Sequence, residues 1–121
     1  MKHLRVFVQM ILLMLLPALV VANAGTLTTF DVPGAISTEP QAINPAGVIT
    51  GFYFDAVSSI PHGFLRASDG TFTTFDVPGA RQQTVPRGIN PAGAITGNYS
   101  EGRGIRGFLR APTAPSPRSM P

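Results

Sequence analysis

The sequence predicts an all-β protein made of two tandem four-stranded antiparallel meander repeats of about 45 residues, propeller-blade-like, preceded by a signal-peptide helix. Three observations predict it. Residues 26–66 return at 71–110, so that Thr28-Thr29-Phe30-Asp31-Val32-Pro33-Gly34-Ala35 reappears as Thr73-Thr74-Phe75-Asp76-Val77-Pro78-Gly79-Ala80. Ile43-Asn44-Pro45-Ala46-Gly47 likewise returns as Ile89-Asn90-Pro91-Ala92-Gly93, and Gly63-Phe64-Leu65-Arg66 as Gly107-Phe108-Leu109-Arg110. A repeat of this length marks one supersecondary unit that buries its apolar face against copies of itself. Second, turn residues recur every ten or so positions. Third, the runs between them are short, rich in β-branched and aromatic residues, and lack a sustained helical period.

The first 24 residues read as a secretory signal. Lys2, His3 and Arg5 form a basic start, Val6 to Val21 is apolar apart from Gln9 and Pro17, and Ala22-Asn23-Ala24 is a small-residue cleavage site. The apolar run is shorter than the ~20 residues a membrane span needs. The expectation is therefore cleavage before Gly25, a secreted or periplasmic product and no stable membrane anchor. The whole chain carries a formal charge of +3, but Lys2 and Arg5 belong to the signal, which leaves seven Arg against six carboxylates. That near-balance argues against nucleic acid as a partner. There is no Cys, hence no disulfide and no thiolate metal site.

Residues 25–110 form the expected β-repeat domain, with repeat one at about 26–70 and repeat two at about 71–110. An opening strand is expected at 26–31, followed by strands at 41–43, 48–54, 62–67 and 71–76, then 87–89, 94–99 and 105–110. Asp31 precedes Pro33-Gly34, and Asp76 precedes Pro78-Gly79; proline at i+1 and glycine at i+2 specify a type II turn, with each aspartate expected to cap it. Asn44-Pro45-Ala46-Gly47 and Asn90-Pro91-Ala92-Gly93 suit a type I turn followed by a left-handed glycine, the hairpin bulge. Ser68-Asp69-Gly70 is a third hairpin signal. Residues 111–121, with four prolines, read as a disordered Pro-rich tail.

Comparison of the two copies assigns their faces, because side chains alternate along a strand. Ile49, Gly51 and Tyr53 match Ile95, Gly97 and Tyr99, the expected common core face. The opposite face is Val48, Thr50, Phe52 and Phe54 in copy one, but Ala94, Thr96, Asn98 and Ser100 in copy two. Copy one is thus expected to be covered on both sides and copy two to show one side to water. Phe52 and Phe54 are the candidate interface residues, since aromatic side chains on an uncovered face form an apolar patch. The strand order offsets the two units by one strand, which would let 26–31 complete the sheet begun by 87–110. A propeller needs about four to eight blades. Three arrangements stay open: a ring of two to four copies, a small two-sheet sandwich, and a truncated, inactive repeat fragment.

These residues resemble the HAF-type extracellular repeats of secreted bacterial proteins. The likeness rests on His62-Gly63-Phe64-Leu65-Arg66, on Ile43-Asn44-Pro45-Ala46-Gly47 running into Val48-Ile49-Thr50-Gly51, and on Phe75-Asp76-Val77-Pro78-Gly79-Ala80. The resemblance implies an exported, propeller-like repeat protein of unknown function, with no catalytic residues to carry over. The second copy departs from it with Arg106 where the family pattern has histidine.

No catalytic set, cofactor or metal site is expected. His62 stands alone, and its counterpart is Arg106. Ser37, Ser58, Ser59 and Ser100 lie outside any G-x-S-x-G elbow. Asn98-Tyr99-Ser100 matches a glycosylation pattern, discounted because the resemblance implies a bacterial host. The expected function is a non-catalytic binding or structural module, partnered by copies of itself or by another repeat protein. The rival reading is a polysaccharide-active hydrolase using inter-repeat carboxylates, with Glu39 and Glu101 as its pair.

Overall fold

The structure, a computed structural model, describes residues 25–80 and 83–112. The expected signal helix and most of the Pro-rich tail lie outside the described residues. The chain divides into two units, Met1–Phe30 and Asp31–Pro121. Of the first, residues 25–30 are described; they form no strand.

The second unit is all β among its described residues. Seven strands run β1 (Ala35–Ile43), β2 (Ile49–Asp55), β3 (Pro61–Arg66), β4 (Phe72–Phe75), β5 (Thr84–Ile89), β6 (Ile95–Glu101) and β7 (Gly104–Arg110). They form two antiparallel meanders, a four-stranded sheet β1-β2-β3-β4 and a three-stranded sheet β5-β6-β7. β5 packs against β1, β2 and β3, which joins the sheets. Ile49 faces Arg66 and Gly51 faces Phe64 in the first sheet; Ile95 faces Arg110 and Gly97 faces Phe108 in the second.

The turns follow from local chemistry. Gly34 and Gly79 have φ of 82° and 85°. Across them the Ala35 N–H donates to Val32 O at 3.0 Å and the Ala80 N–H to Val77 O at 2.9 Å, as a type II turn requires. Asn44–Val48, Ala67–Thr71 and Asn90–Ala94 are hairpin loops of one construction. In each, an i→i+3 bond is followed by a glycine at positive φ and closed by a bond between the two ends.

Two expectations are corrected. Residues 26–31 are not a strand, and the second sheet has three strands rather than four. The Thr-Thr-Phe run of 28–30 is repeated in β4, where it pairs with β3. A strand exists through its ladder, and residues 26–31 form none among the described residues. The leading strand of each sheet is also longer than expected, starting at Ala35 and Thr84. Both runs contain a proline, Pro40 and Pro86, and the ladder register shifts beside each, at Pro40/Ala42 and Pro86/Gly88. Proline donates no ladder bond, but both strands are sheet edges and each proline lies at a bulge, where that loss is tolerated.

The core is small: Val32, Phe64, Val85 and Ile95 are buried, with Thr50, Thr84 and Pro86 beside them. Thr50 is fully buried, whereas its counterpart Thr96 is exposed. The remainder of that face in copy two does not open to water as expected. Asn98 is half-buried and Ser100 is buried, and the Ser100 N–H donates to Gln83 O, just ahead of β5.

Candidate functional site

The most concentrated chemistry surrounds His62 on β3. Its Nδ1 lies 2.8 Å from Asp76 Oδ1, just past the end of β4, and its Nε2 lies 3.3 Å from Asp55 Oδ2, the last residue of β2. Ser58 Oγ is 3.0 Å from the same Nε2 and donates to Asp55 Oδ1 at 2.9 Å. The Tyr53 ring flanks the imidazole at a centroid distance of 5.4 Å. Three neighbouring strands thus deliver one imidazole between two carboxylates.

Ser58, His62 and Asp76 have the connectivity of a nucleophile, base and orienting acid. The hydrogen-bond inventory gives them another role. A carboxylate only accepts, so the Ser58 hydroxyl proton points at Asp55 rather than at the imidazole. Both ring nitrogens face carboxylate oxygens, Nδ1 that of Asp76 and Nε2 that of Asp55. The cluster ties β2, β3 and β4 together.

The β2–β3 loop depends on Asp55. The Ser58 N–H, the Ser58 hydroxyl, the Val57 N–H and the charge of His62 hold the Asp55 carboxyl below its ordinary value of 3.8, against a smaller opposing effect of desolvation. A carboxyl held low in the folded state contributes stability above its ordinary pKa and loses it as pH falls through the held value. We therefore expect the Val57 and Ser58 amides to lose hydrogen-exchange protection as pH falls below 3.8, while Ala46 and Val48 keep theirs. The last two amides donate to the Asn44 amide oxygen, which does not titrate in this range.

A second feature is a groove of about 240 Å³ lined by Phe75, Asp76, Val77, Pro78, Phe108, Leu109 and Arg110. The rings of Phe75 and Phe108 meet edge to face at 6.3 Å, and the Arg110 guanidinium lies 4.9 Å over the Phe75 ring. An apolar floor with one cation at its wall suits a flat or ring-shaped ligand that carries an acceptor.

The other residues singled out from the sequence have plainer places. Pro33, Pro45, Pro78 and Pro91 are exposed at their turns, with Gly34, Gly47, Gly79 and Gly93 at positive φ. Asp31 is exposed, and Asp76 reaches back to His62 instead of capping its turn. The turn amides are taken by threonines: Val32 N–H donates to Thr38 Oγ1 and Val77 N–H to Thr84 Oγ1. These threonines were missed, although each copy carries one shortly after its Pro-Gly-Ala run. Asn44 is buried and bonds to its own loop and to Asn90 O; Asn90 bonds to its own loop. Phe52 and Phe54 are half-buried and pack on one another at 6.0 Å and 81°. Glu39 is exposed on β1, whereas Glu101 pairs with Arg106 at 3.3 Å across the β6–β7 hairpin. Among the described residues no three His, Asp or Glu side chains are arranged to hold a metal ion.

The chain matches no family model, and comparison with curated proteins and with solved structures gives no match.

Proposed function

We propose that this chain is an exported β-repeat protein of the HAF type, two propeller-blade-like repeats that act as a non-catalytic binding or structural module. One observation carries the reading: the imidazole that could serve as a base spends both nitrogens on Asp55 and Asp76, while the Phe75–Arg110 groove presents apolar surface and a cation. The resemblance of the repeat motifs and the apolar, cleavable start of the chain support export. The groove's aromatic rings suit the apolar face of a sugar, and Arg110 suits an acidic or hydroxyl substituent on it.

A glycan array with a parallel assay for new reducing ends tests this. Retention without turnover is expected, weakened about tenfold or more by Arg110→Ala, which removes about 1.4 kcal/mol or more of binding. Turnover that disappears in Glu39→Gln or Glu101→Gln would establish the hydrolase instead.

A further inference from the structure

We propose that the outer edge of β7 is the docking site for residues 27–31 of a second copy of this chain, which adds there as the fourth strand of the second sheet. The inference rests on the module reading and names its partner. Its template is already present in the first sheet. There Gly63, Phe64, Leu65 and Arg66 of β3 face Phe75, Thr74, Thr73 and Phe72 of β4. β7 carries the identical run Gly107-Phe108-Leu109-Arg110, and among the described residues no strand lies on its outer side. The run Leu27-Thr28-Thr29-Phe30 repeats β4 with one substitution, Leu for Phe72, and forms no strand of its own. Transfer of the register sets Gly107 opposite Phe30 of the second copy and Arg110 opposite its Leu27.

Three independent features fit this occupant. The first is Gly107. A Cβ at Gly63 would come 2.8 Å from the Phe75 ring and 3.0 Å from Pro86, so that glycine makes room for the aromatic lying on it. A Cβ at Gly107 meets nothing nearer than Gly97 O at 3.8 Å. Its smallness is used only when a phenylalanine lies over it, as Phe30 of a second copy would. The second is charge. His62, just before Gly63, binds Asp76, just after Phe75, at 2.8 Å. The same two positions at the new edge are Arg106, which also pairs with Glu101 in its own hairpin, and Asp31, a cation and an anion again. The third is exposure: Leu27 is 96 % and Leu109 75 % exposed, far above what their places in a completed sheet would give.

The connection shows why the donor is another molecule. Asp76–Ala80 leads from β4 of the first sheet to β5 of the second, held by the Val77 N–H bond to Thr84 and the Ala80–Val77 turn. Asp31–Ala35 repeats that connection with equivalent bonds from Val32 to Thr38 and from Ala35 to Val32, and it leads into β1. By that equivalence a strand before Asp31 closes a sheet other than the one it leads into. The second sheet of the same chain packs its β5 against β1, β2 and β3. The second sheet of a neighbour supplies the missing place. Such a contact is head-to-tail, and it closes into a ring when the rotation allows. At two sheets per chain, a closed propeller of about four to eight blades takes two to four chains.

Sedimentation equilibrium of the full chain tests the proposal. The wild type is expected to associate into species of two to four chains. Arg106→Asp sets like charges against Asp31, and Asp31→Arg sets them against Arg106, so each variant alone is expected to be monomeric at tenfold higher concentration. The double variant restores opposite charges at every contact and recovers the wild-type mass; an equimolar mixture of the two single variants restores them wherever the variants alternate, throughout a ring of two or four chains, and is expected to associate. Gly107→Val is expected to keep the wild-type circular dichroism yet stay monomeric, which separates loss of docking from loss of folding. A monomeric wild type, association indifferent to these substitutions, or a mixture of the two single variants that stays wholly monomeric would overturn the proposal. A wild-type monomer that still retains glycans overturns the docking alone; assembly accompanied by turnover overturns the non-catalytic reading alone.

Discussion

Gly51→Ala and Gly97→Ala are each expected to lower stability by about 3 kcal/mol or more, the upper range for forcing atoms into a packed site. At Gly51 a Cβ would run into the Glu39 carbonyl oxygen and lie 2.8 Å from Pro40 Cα. At Gly97 it would run into the Val85 carbonyl oxygen, 2.7 Å from Pro86 Cα and 2.9 Å from the Phe108 ring. These obstacles are backbone, so no rotamer change relieves them. β1 would have to lift off β2, or β5 off β6, at the bulge where Pro40 faces Gly51 and Pro86 faces Gly97. In a small domain that loss lowers Tm by roughly 12–24 °C, measurable by calorimetry. Gly63→Ala is expected to cost less, about 1–2 kcal/mol, because the Phe75 side chain on an edge strand can swing aside. Gly107→Ala should stay within about 0.5 kcal/mol in the unassembled chain, since its surroundings are open. A Gly51→Ala protein as stable as Gly107→Ala would contradict the close crossing of β1 and β2.

This ordering shows which parts of the architecture were legible in the sequence. The turns were, because proline and glycine restrict φ within a few residues and need no distant partner. Gly34, Gly47, Gly79 and Gly93 all take the positive φ that their turn types require. The first half of β1 was not, because Ala35-Ile36-Ser37-Thr38-Glu39-Pro40 carries no strand-forming pattern and is extended by pairing with β2. Residues 26–31 erred the other way: the local pattern is that of a strand, but the decisive ingredient is a neighbour.

The His62 cluster was legible only in pieces. His62 was identified as the one imidazole after the expected signal, and Asp76 as a repeated position. Their meeting depends on the β3–β4 register, which places residue 62 one step beyond the paired Gly63 and residue 76 one step beyond the paired Phe75. Asp55 and Ser58 join through the β2–β3 loop, where the Asp55 side chain gathers the Val57 and Ser58 amides. An Asp followed by Ser three residues later before a strand was the available signal, and it is a local one.

Asn44→Ala is expected to cost about 2 kcal/mol, against about 0.5–1 kcal/mol for Asn90→Ala, although the two residues occupy equivalent turns. Asn44 is buried, and its Oδ1 accepts from the Ala46 and Val48 amides at 3.1 and 3.0 Å. Its Nδ2 donates to Asn90 O at 3.1 Å, which ties the β1–β2 hairpin loop to that between β5 and β6. Asn90 is exposed, and its side chain accepts from Ala94 N at 2.9 Å, a bond that water can replace. Asn44→Asp divides the effect into its parts. The carboxylate still accepts from both amides, but it donates nothing to Asn90 O and sets a negative charge beside that carbonyl. Urea midpoints at unchanged m-value measure the three variants on one scale. A loss in Asn44→Asp that matches Asn44→Ala would place the worth of this asparagine in the bond between the sheets. A loss no larger than that of Asn90→Ala would place it in the loop, and would mean that β5 packing alone holds the second sheet to the first.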